Sequence, residues 1–125
     1  MANEEFLMRI QMMQQQAEKL EEQLQAVKQQ KEELIDLKES LGKVKGEFLS
    51  SLGKGIFVKS EVKEKDFFVN IGEKVLIKKT PEETQKIIGE QIVKLEEIRN
   101  ILLGEIDKSN KEMRELIEEI RKISS

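Results

Sequence analysis

Adjacent carboxylates such as Glu21 with Glu22, Glu32 with Glu33, Glu96 with Glu97 and Glu118 with Glu119 are residues whose type could support acid and base chemistry. Paired carboxylates work when an apolar cleft holds one of them neutral beside the other. Each pair here falls in a helix-patterned segment, where successive side chains point about 100° apart and no cleft raises a pKa, so they read as solvated surface charge. Gly53-Lys54 has the look of a phosphate loop, but that loop needs a glycine about five residues earlier, and Phe48 stands there. The lysines Lys59, Lys63, Lys65, Lys74, Lys78 and Lys79 gather in the middle of the chain. They suit an acidic docking partner or, more simply, protection of strand edges against unwanted pairing.

What is missing narrows the chemistry further. The chain has no Cys, His, Trp or Tyr, which removes Cys/His zinc sites, thiolate nucleophiles, Ser-His-Asp triads and imidazole bases. We therefore expect no enzyme, no cofactor and no metal. The first residues, Met1 to Glu5, lack the basic and apolar regions of a signal peptide, and no apolar run approaches the roughly 18 residues of a membrane span. A cytoplasmic chain with no membrane partner is the expectation, and a net charge of −3 argues against nucleic acid.

The elements that carry these residues follow from composition and periodicity. In 125 residues, 38% are charged and the five Phe are the only aromatics, which suits long helices better than a compact globule. From Phe6 the apolar residues step by four and three through Ile10, Met13, Ala17, Leu20, Leu24 and Val27. This is a coiled-coil seam with Phe6 at d and Ile10 at a. Lys31 fills the next a position, and the pattern resumes as Leu34, Leu37, Leu41, Val44 and Phe48, with an extra three-residue step that predicts local overwinding. A second seam runs Ile88, Ile92, Leu95, Leu102, Ile106, Met113, Leu116, Ile120 and Ile123, with Arg99 and Ser109 at the two interruptions. Thr80-Pro81-Glu82-Glu83 marks its start as a capping box with proline at the first helical position.

The expected fold class is α+β, a long antiparallel coiled-coil hairpin of arms 4–46 and 81–123 around a β insert, 47–79, in one domain spanning 1–125. Folding the arms together sets Ile10 near Ile117, Met13 near Met113, and Lys31 level with Arg99, with Glu96 and Glu32 to neutralise the two cations. In the insert, Ile56 to Val62 and Phe67 to Ile71 read as one hairpin across the turn Lys63 to Asp66. A second turn leads to Val75 to Lys78, and Phe48 to Ser50 supply a short extra strand. Ile56, Val58, Val69 and Val75 line one face, and Phe57, Phe68 and Leu76 the other. Both faces and both edges need cover that so small a sheet cannot provide, so another chain must complete it. The arms are net acidic and the insert net basic, consistent with separate surfaces for separate partners.

Two stretches carry a family resemblance. Leu52 to Val62, and Phe68-Val69-Asn70-Ile71-Gly72-Glu73-Lys74-Val75-Leu76-Ile77-Lys78-Lys79-Thr80, resemble the α-type prefoldin insert, in which a glycine loop precedes one strand and a V-x-I-G-x-G-x-x-V-x-K segment leads to the second helix. Glu73-Lys74 stands where that pattern places a small residue and a second glycine. The resemblance implies an ATP-independent chaperone, a hexamer of two α-type and four β-type chains. Its strands would form a β-barrel platform, with Ile56, Phe57, Val58, Phe67, Phe68, Val69, Ile71, Val75, Leu76 and Ile77 at the subunit interface.

It further implies partners: a second copy of itself, unfolded polypeptide held at the coil tips, and a group II chaperonin that receives it. At the tips, Phe6, Ile10 and Met13 belong to the seam, whereas Leu7, Met8 and Met12 fall outside it, opposite Ile117, Ile120 and Ile123. Methionine is flexible and polarizable, which suits a surface that accepts many sequences. These nine residues are the expected client-binding site. The competing expectation is a structural coiled-coil subunit, a spacer or filament former joined through its strands.

Overall fold

The structure, a computed structural model, describes residues 2–124. In chain order the elements are α1 (Ala2–Leu41), β1 (Glu47–Gly53), β2 (Ile56–Glu61), β3 (Phe67–Gly72), β4 (Val75–Lys79) and α2 (Pro81–Ser124). They divide into two compact units, one formed by Met1–Lys31 with Lys94–Ser125, the other by Glu32–Val93.

In the first unit, α1 and α2 meet along the two seams. Leu24, Val27 and Leu102 are buried together, with Leu20, Leu95 and Ile106 packed around them, and Leu116 is buried further along α2. Side chains of this size each contribute about 1.5–3 kcal/mol when fully removed from water. Phe6, Ile10, Met13, Ala17, Ser109, Met113 and Ile120 are half-buried, as the periodicity requires of positions on the same stripe. At the interruption, Lys31 Nζ lies 3.3 Å from Glu96 Oε1. That is one of the two neutralising contacts expected from folding the arms together.

Two expectations about α1 need correction. The overwinding step is not used: Leu34 and Leu41 are half-buried, while Leu37 is 45% exposed. The heptad runs on unbroken, with Lys38 at the a position. A lysine there is tolerated because its long stem carries the charge out to water, and the backbone carbonyl of Lys38 accepts a hydrogen bond from Gln85 Nε2 at 3.2 Å. The arm also stops at Leu41 instead of 46. Gly42 N–H donates to the Glu39 carbonyl and Lys43 N–H to the Ser40 carbonyl, closing the helix in a tight turn. Gly46, at φ +66, redirects the chain into β1, so Val44 and Phe48 leave the seam and stand exposed.

The second unit holds the strands as two separate antiparallel ladders, β1 with β2 and β3 with β4. The expected hairpin of β2 with β3 is therefore not formed, and Lys63 to Asp66 connects the two ladders instead. The reason lies in the turns. Lys54-Gly55 and Glu73-Lys74 are two-residue loops with positive φ at both positions, the geometry whose twist matches that of paired strands. Each loop follows a glycine with positive φ, Gly53 or Gly72, and each ladder carries one extra residue just before it, Leu52 or Ile71. The N–H of Gly53 donates to Ser51 Oγ, and that of Gly72 to Asn70 Oδ1. Residues 48–60 and 67–79 thus repeat one hairpin plan, with Phe48 matching Phe67, Ile56 matching Val75, and Lys59 matching Lys78.

The start of α2 follows its sequence signature. Thr80 Oγ1 accepts the Glu83 N–H at 3.1 Å and donates to Glu83 Oε1 at 3.1 Å. Thr84, buried, donates its hydroxyl to the Thr80 carbonyl at 2.8 Å. Such a cap is worth about 1 kcal/mol.

Candidate functional site

Two surfaces expose apolar side chains that the chain does not cover. The first is at the beginning of α1 and the end of α2. The seam fixes the rotation of each helix, and rotation decides which residues face outward. Leu7, Met8 and Met12 are 58%, 64% and 60% exposed, and Ile117 and Ile123 are exposed as well. Phe6, Ile10, Met13 and Ile120 are half-buried, held in the seam. The nine expected residues therefore sort into a supporting row and an outward row. The first unit contains both.

The second surface is the pair of hairpins. Opposite residues in an antiparallel ladder share a face, so the registers place Phe57 and Lys59 with Ser51 and Leu49, and Leu76 and Lys78 with Asn70 and Phe68. The other faces carry Phe48 with Val58, and Phe67, Val69 and Ile77. Of the expected interface residues, Ile56, Phe57, Val58, Phe68, Ile71, Val75, Leu76 and Ile77 are exposed, and Phe67 and Val69 are half-buried. Sequence reasoning missed Leu49 and Leu52, the latter 70% exposed. The signal that finds them is the internal repeat, in which they stand where Phe68 and Ile71 stand in the second hairpin.

Electrostatics bind the connecting segment to β4. Lys78 Nζ lies 2.8 Å from Glu64 Oε2 and 3.9 Å from Asp66 Oδ2. The hydrogen bond and charge of Glu64, aided by Asp66, raise the Lys78 pKa above its ordinary 10.5. Among the described residues no cluster of three or more potential ligands forms a metal site, and no helix is long and apolar enough to cross a membrane. On α2, Val93, Ile98 and Ile101 are further exposed apolar residues outside the seam.

Comparison with known proteins places this arrangement. The prefoldin subunit family model matches residues 13–125. The chain belongs to the prefoldin family. A prefoldin subunit alpha of Methanococcus vannielii is 32% identical over 111 residues, covering 86% of this chain and 76% of its own length. A prefoldin subunit alpha of Methanosphaera stadtmanae is 29% identical over 89 residues, covering 68% of this chain and 64% of the relative. The chain is a prefoldin of the α type. A filamentous prefoldin of Methanocaldococcus jannaschii, solved by electron cryomicroscopy, has the same fold at a TM-score of 0.57 and 23% identity, covering 94% of this chain and 97% of that one. Two long helices joined through two small antiparallel hairpins are the prefoldin fold, and prefoldins are non-enzymatic chaperones.

Proposed function

We propose that this prefoldin subunit is an ATP-independent holdase that binds unfolded polypeptide at the free ends of α1 and α2 and passes it to a group II chaperonin in the cytoplasm. The observation that carries the reading is the outward row Leu7, Met8 and Met12, three large apolar side chains exposed beside a seam that already holds its own residues. The assembly in this reading is two α-type chains, a second copy included, with four β-type subunits, joined through the hairpins. Their exposed apolar faces support it. Each tip offers a small apolar area at about 25 cal/mol per Å². Several tips on one platform make later contacts effectively intramolecular, so weak and quickly released sites sum to useful avidity.

The test is suppression of aggregation of a denatured client by the assembled complex. Changing Leu7, Met8 and Met12 together to Ser leaves the seam intact and should weaken protection about tenfold or more, in line with the loss of a kcal/mol or so per large side chain. Undiminished protection by that variant overturns the site assignment. A spacer or filament former, the second reading, is favoured by the likeness to a filamentous prefoldin. It requires filaments of the purified chain in electron micrographs and no client protection.

A further inference from the structure

Midway along α2, Ile98 and Ile101 stand outside the seam, 44% and 61% exposed. Lys94 and Glu105, both exposed, lie on either side of them. The spacing Lys94, Ile98, Ile101, Glu105 is four, three, four, so the four side chains form one stripe along the helix. Gly104 lies beside it, and a Cβ added there would meet nothing within 4 Å. A glycine in a helix interior costs about 1 kcal/mol relative to Ala, and among the described residues none occupies the space it leaves.

The stripe is its own complement. When two such helices run antiparallel about a two-fold axis between residues 98 and 101, Ile98 of each meets Ile101 of the other, and Lys94 of each meets Glu105 of the other. Glu97 then falls opposite Gly104, where no side chain opposes it. A parallel arrangement would set Lys94 on Lys94 and Glu105 on Glu105. We propose that this stripe is a docking surface for a second copy of the chain, formed by antiparallel, two-fold contact of α2 with α2. A symmetric interface must be self-complementary in this way, whereas an unfolded client presents no fixed order of charge. The contact uses neither the strands nor the outward row at the tips, and it stands or falls independently of client capture. Two isoleucines a side make it weak singly, so it acts between assemblies that present several copies at once.

Zero-length carbodiimide coupling of an equal mixture of isotopically light and heavy protein tests the proposal. Lys94 and Glu105 are separated by about 16 Å along a single helix at about 1.5 Å per residue, so an amide between them joins two copies. The expected result is a mixed light and heavy Lys94–Glu105 linkage alongside the Lys78–Glu64 linkage, whose atoms already lie 2.8 Å apart within one chain. Lys94→Glu should weaken the concentration-dependent association of assemblies in sedimentation about tenfold at low salt, and adding Glu105→Lys should restore it, with helicity unchanged by circular dichroism. A sample that forms the Lys78–Glu64 linkage without the Lys94–Glu105 one overturns the proposal. So does association indifferent to both charge changes, or an Ile101→Lys variant that loses client protection while keeping its association, which would make the stripe a client surface.

Discussion

Lys31 Nζ sits 3.3 Å from Glu96 Oε1 at the first of the two a positions of α1, Lys31 and Lys38, where an otherwise apolar seam turns cationic. The lysine side chain is about one quarter exposed and the glutamate about half exposed. The pair is therefore well screened and worth no more than about 1 kcal/mol. Its value is in register: a single polar residue in a seam penalises every alignment that leaves it facing an apolar row. Lys31→Leu should raise the unfolding midpoint, by roughly 1 kcal/mol of stability, while allowing the helices to slip. Thermal melts report the first effect, and a broadened distribution of interhelix distances between spin labels on the two arms reports the second. A less stable Lys31→Leu protein contradicts this account.

The second hairpin carries strain that the first lacks. Lys74 adopts φ +66, whereas its counterpart in the repeat is Gly55 at φ +79. A side chain in the left-handed region costs about 1 kcal/mol. Lys74→Gly should stabilise the hairpin by about 0.5–1 kcal/mol, and Gly55→Lys should destabilise the other by a similar amount. Urea titrations of both variants supply the comparison, and the two shifts should have opposite signs.

The hairpin faces give a prediction about assembly. Phe57 and Leu76 occupy equivalent positions in the repeat, and both are exposed. Changing both to Lys removes apolar area that the hairpins leave exposed and sets like charges around it. The variant should sediment as smaller species than the wild type at micromolar concentration, with its helix content retained. Unchanged mass would place the assembly contacts elsewhere.

The tie between Lys78 and the connecting segment depends on pH in one direction. The folded pKa of Lys78 is raised by Glu64 and Asp66, so its stabilising effect is complete below the unfolded value of about 10.5 and is lost as pH rises through the higher folded value. Local order of Lys63 to Asp66 should thus hold from neutral pH to about 10 and fall above it. Lys78→Met should loosen the segment at every pH. Backbone amide chemical shifts of Glu64 and Lys65 would record both effects.

Periodicity made the seams legible because burial on one stripe is imposed locally, every three or four residues, and the burial of Leu24, Val27, Ile88, Leu102 and Leu116 follows it. The cap at Thr80 was legible for the same reason, since all its atoms lie within four residues. Strand pairing was less so. Glycine marks the turn at Lys54-Gly55, but at Glu73-Lys74 the second loop position is a lysine, and the polar run Lys63 to Asp66 looks equally like a turn. Only the repeat of residues 48–60 in 67–79 reveals that both loops share one conformation. The overwound step failed because an apolar Leu37 was given the place that Lys38 takes, a choice that residue type alone favours and helix rotation forbids. At the tips, the seam predicted which residues point outward, and Leu7, Met8 and Met12 do so.

The packing of Leu24 against Leu102 sets an order of events during synthesis. Each hairpin closes through a two-residue loop between strands adjacent in the chain, so it can form as soon as its second strand has left the ribosome. The first arm has no such local partner. Leu20, Leu24 and Val27 must wait for Leu95, Leu102 and Ile106, at the far side of both hairpins, before their seam is covered. From the emergence of β4 until Leu95, Leu102 and Ile106 follow, the nascent chain therefore carries a finished insert behind an unfinished arm, an apolar stripe of the kind that chaperones themselves are made to shelter.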